Sequence, residues 1–282
     1  MKIARFDGGR IGVVIADRIH DVSDACGVDP AEWPPMGMIT TIAAFDELRP
    51  GIERALALSV GQPLSGVRLE TPIPWPHKLL ALPNNFRAHT MEMGHAAEHA
   101  GTEGFFMKSS AALSGPAEAI VLPERPGRNF HYECELAIIV GKTGRKIALE
   151  DARDYIFGYA CLIDVTMRGK EERVMRKSFD TFCPVGPWIT TADEVGATDD
   201  IVLRLWVNGK LKQEAPVSDM VVGISEAVVL CSSVTTLQPG DIIAGGTMSG
   251  VGPIVPGDTV RIAIEKVGEM TIPVVADAPV TV

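Results

Sequence analysis

Three prolines, Pro72, Pro74 and Pro76, fall in the segment TPIPWPHK. Proline fixes φ and has no N–H, so neither a helix interior nor a central strand runs through such a segment. The chain of 282 residues is therefore expected to divide there, into a small N-terminal α/β domain over 1–75 and a larger domain over 76–282. At ~150 residues per domain, the length fits a large domain with a small one beside it. Hydrophobic residues make up 46% and charged residues 22%, enough for a core, which excludes general disorder. The charge of −10 argues against nucleic acid as a partner, because phosphate binding needs clustered Lys and Arg. No stretch approaches the ~18 uninterrupted apolar residues of a membrane helix. The start, MKIARFDGGRIGVV, carries no signal-like apolar region. Five widely spaced cysteines without a C-x-x-C point to buried, reduced thiols and a cytoplasmic location.

Before the prolines, strands are expected at Lys2–Phe6, Ile11–Ile15 and Ile19–Val22, followed by a helical region over 40–60. Ile42, Phe45, Leu48, Ile52 and Leu56 form its apolar face. Beyond the prolines strand-like runs dominate: Cys134–Val140, Ile156–Ile163, Ile201–Val207, Asp241–Ala244 and Thr259–Ile264. Asn208-Gly209 between two of these runs predicts a hairpin. One helix interrupts them, with Ser218 or Asp219 as its cap and Met220, Ile224, Ala227, Val228 and Cys231 on one face. The fold class is β-rich α+β.

Within HYECELAIIVG, Glu133 and Glu135 are two apart in a strand-like run, so they share a face. Adjacent carboxylates repel and raise each other's pKa, a conflict that a hard divalent cation such as Mg²⁺ removes. A solvated strand face is the plain alternative. Asp164 ends the apolar run GYACLID and needs a partner; Arg168 or a shared metal would serve. His89 and Glu92 are three apart, on one helical face, and a histidine oriented by a carboxylate is a working general base near neutral pH. His95, Glu98 and His99 spell H-x-x-E-H, an inverted zinc-protease motif bracketed by Gly94 and Gly101. Residues 86–104 are expected to form a mobile lid on those glycine joints. Lys108 and Lys177 lie in apolar surroundings; such a lysine snorkels to water or faces a bound anion. The loop GGTMSGVG offers backbone amides and the Thr247 hydroxyl to a carboxylate.

From about residue 80 onward the chain resembles the fumarylacetoacetate hydrolase superfamily. The resemblance rests on ordered blocks: PNNFRAHTME, GFFMKSSAALSGP, HYECELAIIVGK, GYACLIDVTMR, KSFDTFCPVGPWI, VNGK and LQPGDIIAGGTMSGVG. It implies a mixed β-sandwich roll and a homodimer with a Mg²⁺ or Mn²⁺ site. On that reading the metal carboxylates are Glu133, Glu135 and Asp164. His89 and Glu92 are the catalytic pair, Lys177 the lysine near the metal, and Thr247 the holder of the substrate carboxylate. Arg168 and Lys108 line the pocket.

The chain departs from the family at three places. It has P-N-N-F for G-x-N-Y, Met248 for a proline, and DVTMRGKE for D-V-[ST]-x-R-D-x-Q, which puts Gly169 in place of Asp and Glu171 in place of Gln. Glu171 either points to solvent in the charged run KEER or faces the substrate, where it would reject a second carboxylate. The implied activity is metal-dependent cleavage of a C–C bond in 2-oxo or 2,4-dioxo acids. Isomerisation, decarboxylation or hydration of a 2-oxo acid uses the same enolate chemistry. A zinc peptidase built on His95 and His99, or a non-catalytic binding protein, is the reading from another class.

Overall fold

A computed structural model describes residues 1–277. The strands Lys2–Phe6, Arg10–Ile15 and Arg18–Asp21 form an antiparallel meander buried on both faces, with Ile3, Ile11 and Val13 in one apolar cluster and Phe6, Val14 and Ile19 in another. Lys2–Phe6 also pairs with Cys183–Thr191, far along the chain. From there one sheet continues through Ile156–Ile163, Cys134–Val140, Ile242–Ala244 and Leu79–Ala81. Its central strands are buried on both faces, which explains their unbroken apolar runs. A five-stranded sheet, with Val202–Val207, Thr259–Ile264 and Gly268–Ala276 at its centre, packs against this one. The result is the β-rich, mixed-sheet architecture expected. Residues from before and after the prolines, including Ile3, Phe45, Leu136 and Ile262, share one apolar core. All five cysteines are buried free thiols.

Asn208 and Gly209 have φ of 50° and 74° and close the expected hairpin between Val202–Val207 and Lys210–Pro216. The helical region over 40–60 is two helices, Gly37–Ala43 and Phe45–Leu58, with Ile42, Phe45 and Ile52 buried. Two expectations need correction. The helix expected from Ser218 or Asp219 begins at Ile224; those residues instead form a short 3₁₀ turn, Val217–Asp219. Asn85 is the cause: it holds the intervening Val221 and Val222 in a bend, outside the helix, through both its backbone carbonyl and its side-chain amide. The run from His131 to Val140 is two strands broken at Glu133. Phe130–Tyr132 joins a small sheet with Thr166–Met167 and Gly252–Ile254, while Cys134–Val140 enters the large one. The site sits where these two sheets part.

Candidate active site

Glu133, at the break, and Glu135, one turn of the pleat onward, reach the same point as Asp164 at the end of Ile156–Ile163. All three are buried, and one carboxylate oxygen of each lies within 4.8 Å of the others. The Asp164 amide donates to the Glu133 carbonyl (2.9 Å), which ties the two strand ends together. The Lys177 ammonium enters this cluster, donating to Glu133 Oε2, Asp164 Oδ2 and Thr166 Oγ1, each at 2.6 Å. Arg168 Nη2 donates to Glu133 Oε1 at 2.9 Å. Burial alone would favour the neutral acid of Glu133, but Lys177 and Arg168 hold it below the usual carboxylate range.

Glu135 differs. It accepts from the Gly246 amide (2.8 Å) and makes no ion pair among the described residues. Burial and the neighbouring Asp164 push its carboxyl above the usual range. An ion pair for each of two carboxylates and none for the third is a donor set short of one cation. Three oxygen ligands at one point suit a hard divalent ion with open positions for substrate. The residues therefore fit the implied Mg²⁺ or Mn²⁺ site.

His89 and Glu92 lie on the short helix Arg87–Glu92, as their spacing predicts. His89 Nδ1 is 3.0 Å from Glu92 Oε2, and Glu92 Oε1 accepts from the Gly250 amide at 2.9 Å. The glycine-rich loop thus holds carboxylates of the protein itself, Glu135 at Gly246 and Glu92 at Gly250. Gly246 has φ of 83°, and a Cβ there would lie 2.7 Å from that of Asn85, so only glycine brings this amide so close. Thr247 faces the cavity. It accepts from Gln213 Nε2 (2.9 Å), and among the described residues its own hydroxyl hydrogen has only the weakly accepting Met248 sulfur, 3.9 Å away.

The cavity has a volume of about 360 Å³. The three carboxylates, His89 and Thr247 line its floor, and Arg168, Arg173, Arg176 and Lys177 give it a cationic wall. Two expected lining residues are not there. Lys108 lies outside the lining, buried, with its ammonium on Asp164 Oδ1 and the Phe182 carbonyl, where it orients the Asp164 carboxylate. Glu171 is not in the lining; it pairs with Arg128 behind Gly169, which is in the lining. A Cβ at Gly169 would collide with both partners of that pair. The departures from the family at 169 and 171 are therefore one feature, a glycine that makes room for an ion pair. The expectation that Glu171 repels a second carboxylate falls with its placement. The zinc reading falls too: Ala97–His99 is a 3₁₀ turn, so His95 and His99 do not share an α-helical face. Among the described residues the only cluster with metal-ligand geometry is the Glu133, Glu135 and Asp164 one.

Sequence reasoning missed Gln213 and Asn85. Gln213 accepts from the Cys134 amide (2.9 Å) and donates to Thr247 and to the Met248 carbonyl (2.8 Å), so one side chain fixes both the metal strand and the substrate loop. Its signal was slight: a polar residue at a buried position of an otherwise exposed strand. Asn85, fully buried, links Val222 to the Gly245 carbonyl.

Similar proteins carry the same arrangement of elements. A maleylpyruvate hydrolase from Sphingobium sp. SYK-6, solved with manganese(II) and pyruvate, superposes with a TM-score of 0.92 at 52% identity, over 99% of this chain and 100% of that one. A maleylpyruvate hydrolase of Aquipseudomonas alcaligenes is 40% identical, over 96% of this chain and 98% of its own. An oxaloacetate tautomerase of Bacillus subtilis is 36% identical, over 74% and 73%. Residues 78–275 match the model of the fumarylacetoacetate hydrolase C-terminal domain. That span contains every residue of the cavity floor and its cationic wall, and the chain belongs to the fumarylacetoacetate hydrolase family.

Proposed function

We propose that the protein hydrolyses the C–C bond of an acylpyruvate whose acyl arm ends in a second carboxylate, maleylpyruvate being the first candidate. The observation that carries this reading is the pairing, in one cavity, of a three-carboxylate floor with a wall of three arginines and a lysine. Lys177 and Arg168 serve the floor, while Arg176 has no ion-pair partner among the described residues and Arg173 pairs only with Glu103, so these two arginines are the cations a second carboxylate would meet. The names of the two hydrolase relatives support the same substrate.

Glu133, Glu135 and Asp164 would hold the cation, Mg²⁺ or Mn²⁺, whose charge when bound favours an enolate over its ketone. His89 donates through Nδ1 to Glu92, which leaves Nε2 free to accept a proton from water. The hydroxide so formed adds to the C4 carbonyl carbon. The C3–C4 bond then breaks, its electron pair passes to the pyruvate fragment as an enolate, and the acyl arm departs as a carboxylic acid. Lys177 and Arg168 lie beside the carboxylate floor, where they stabilise that negative charge. Protonation at C3 by the proton held on His89 completes pyruvate. Thr247 offers its hydroxyl to the C1 carboxylate.

All catalytic groups lie after residue 76, so we assign chemistry to 76–282 and a supporting role to 1–75. A cytoplasmic homodimer accompanies this reading; five free thiols agree with a reducing compartment, and sedimentation tests the dimer. Pyruvate release from maleylpyruvate, acetylpyruvate and oxaloacetate, with Mn²⁺ and then with Mg²⁺, tests the function and the metal preference. Turnover of maleylpyruvate is expected. Enol–keto exchange of oxaloacetate without pyruvate release from any acylpyruvate would instead assign the site to tautomerisation.

A further inference from the structure

At the mouth of the cavity, Glu103 is gripped at both carboxylate oxygens. Asn84 Nδ2 donates to Oε1, and Arg173 Nη2 donates to Oε2 at 2.8 Å. Both donors line the cavity, and Glu103 itself does not. The guanidinium of Arg173 stacks on Phe106, 5.3 Å from the ring centroid, and Phe106 also lines the cavity. The stack fixes the plane in which the arginine presents its N–H groups. Asn84 is equally fixed: it sits at φ of 48°, and its carbonyl accepts from the Gly101 amide at 2.9 Å. Two rigid donors therefore define a carboxylate-sized position, filled by a carboxylate of the protein.

The segment that delivers Glu103 is a turn between two glycines. Gly101 and Gly104 flank it with φ of 71° and 72°, and Glu103 remains more than a third exposed. Its only side-chain partners among the described residues are Asn84 and Arg173. Burial alone would raise its carboxyl, and the bonds from Arg173 and Asn84 reverse that, so it occupies the position as an anion.

We propose that Asn84 and Arg173 form the subsite for the distal carboxylate of the substrate, and that Glu103 is an internal carboxylate that the substrate displaces. This rests on the acylpyruvate reading of the cavity and assigns the specificity for a second carboxylate to named residues. The exchange is carboxylate for carboxylate, so it costs little electrostatically, and it releases the Glu103 side chain while the bond from the Gly101 amide to Asn84 stays in place. A substrate without a distal carboxylate leaves Glu103 in place.

The test is binding of maleate, with acetate as the monoacid control, to the Mn²⁺-loaded protein by calorimetry. It is paired with the ratio of kcat/KM for maleylpyruvate over acetylpyruvate. Arg173→Gln is expected to weaken maleate by about 10- to 100-fold, the loss of one charge-assisted hydrogen bond, and to lower the kinetic ratio similarly. Arg173→Lys should recover part of both. Glu103→Gln should act oppositely, tightening maleate and raising the ratio, because the competing anion is gone. A residue with only a structural role would not move the two variants in opposite directions. Maleate affinity that is unchanged in Arg173→Gln, or weakened in Glu103→Gln, overturns the proposal whether or not acylpyruvates are turned over. Absence of acylpyruvate turnover in the unsubstituted protein, with the maleate pattern as expected, counts against the hydrolase reading and leaves the subsite standing.

Discussion

At the scale of single residues, the proposed chemistry rests on Glu135 and His89. Glu135 is a buried carboxylate held by one backbone amide and by no cationic side chain among the described residues. Such a group is costly unless a cation joins it. Lys177 and Lys108 serve its neighbours Glu133 and Asp164 and leave it alone. His89 is the only histidine of the cavity with a carboxylate on its Nδ1 among the described residues; His95, also in the lining, has none. His89→Ala is expected to lower kcat for the true substrate by ~10²–10⁴-fold, the usual range for loss of a general base, with KM little changed. Steady-state kinetics checks this, and unchanged kcat would remove His89 from the mechanism.

At the scale of elements, the site depends on how two sheets part at Glu133 and on the one side chain that spans the gap. Gln213 joins the strand of Glu135 to the loop of Thr247 by three hydrogen bonds. Gln213→Ala leaves the Cys134 amide buried without its acceptor and the loop without its donor. We expect a loss of about 2–4 kcal/mol in stability, from orphaned groups at about 1–3 kcal/mol each, and a raised KM because Thr247 is no longer fixed. Chemical denaturation and kinetics read the two effects separately. The same element shows why sequence reading stops where it does. Glu133 and Glu135 were legible because strand alternation is local. His89 and Glu92 were legible because i, i+3 spacing is local too. Gln213 lies in a run of charged neighbours, KLKQE, and nothing local shows that its strand turns this residue inward. The start of the helix at Ile224 was misplaced because Asn85, 137 residues from Val222 in sequence, decides it. Glu171 was misplaced for the same reason: its partner Arg128 is 43 residues away. Lys108 was read as snorkelling to water or facing a bound anion in the pocket; only the fold shows it buried on Asp164, a carboxylate of the protein.

At the scale of the whole molecule, the larger apolar core draws residues from both sides of the proline segment, and a smaller one, Ala4, Phe6, Val14 and Ile19, belongs to the N-terminal meander. The N-terminal meander extends the catalytic sheet, and Ile3 and Phe45 pack with its central residues. A single cooperative transition is expected in calorimetry, and two separate transitions would show independent units. A polar seam reinforces the contact. Arg49 pairs with Asp193 at 2.6 Å, and the N-terminal ammonium donates to Thr191 Oγ1 and pairs with Glu194. Burial would raise the Asp193 carboxyl, but hydrogen bonds from Thr191 and Arg49 hold it at about 2. A depressed carboxyl contributes stability above its unfolded value of ~4 and loses it as pH falls through about 2. Asp193 is more than half exposed, so Asp193→Asn should cost only about 0.2–1 kcal/mol at pH 7. The difference should vanish as pH approaches 2, in paired thermal melts across that range. A difference that persists or grows at low pH would contradict the ion-pair account.

The central claim is that one divalent cation on Glu133, Glu135 and Asp164 makes this cavity a C–C hydrolase. Its most direct measurement is pyruvate release from maleylpyruvate by metal-stripped protein as Mn²⁺ is added back, run beside Glu135→Gln with Mn²⁺ binding followed in both. The expected result is no release without metal, saturable recovery at about one Mn²⁺ per chain, and loss of both binding and recovery in Glu135→Gln with its fold intact by circular dichroism. Undiminished pyruvate release from the stripped protein, or Mn²⁺ bound by Glu135→Gln at the unsubstituted affinity, would contradict it.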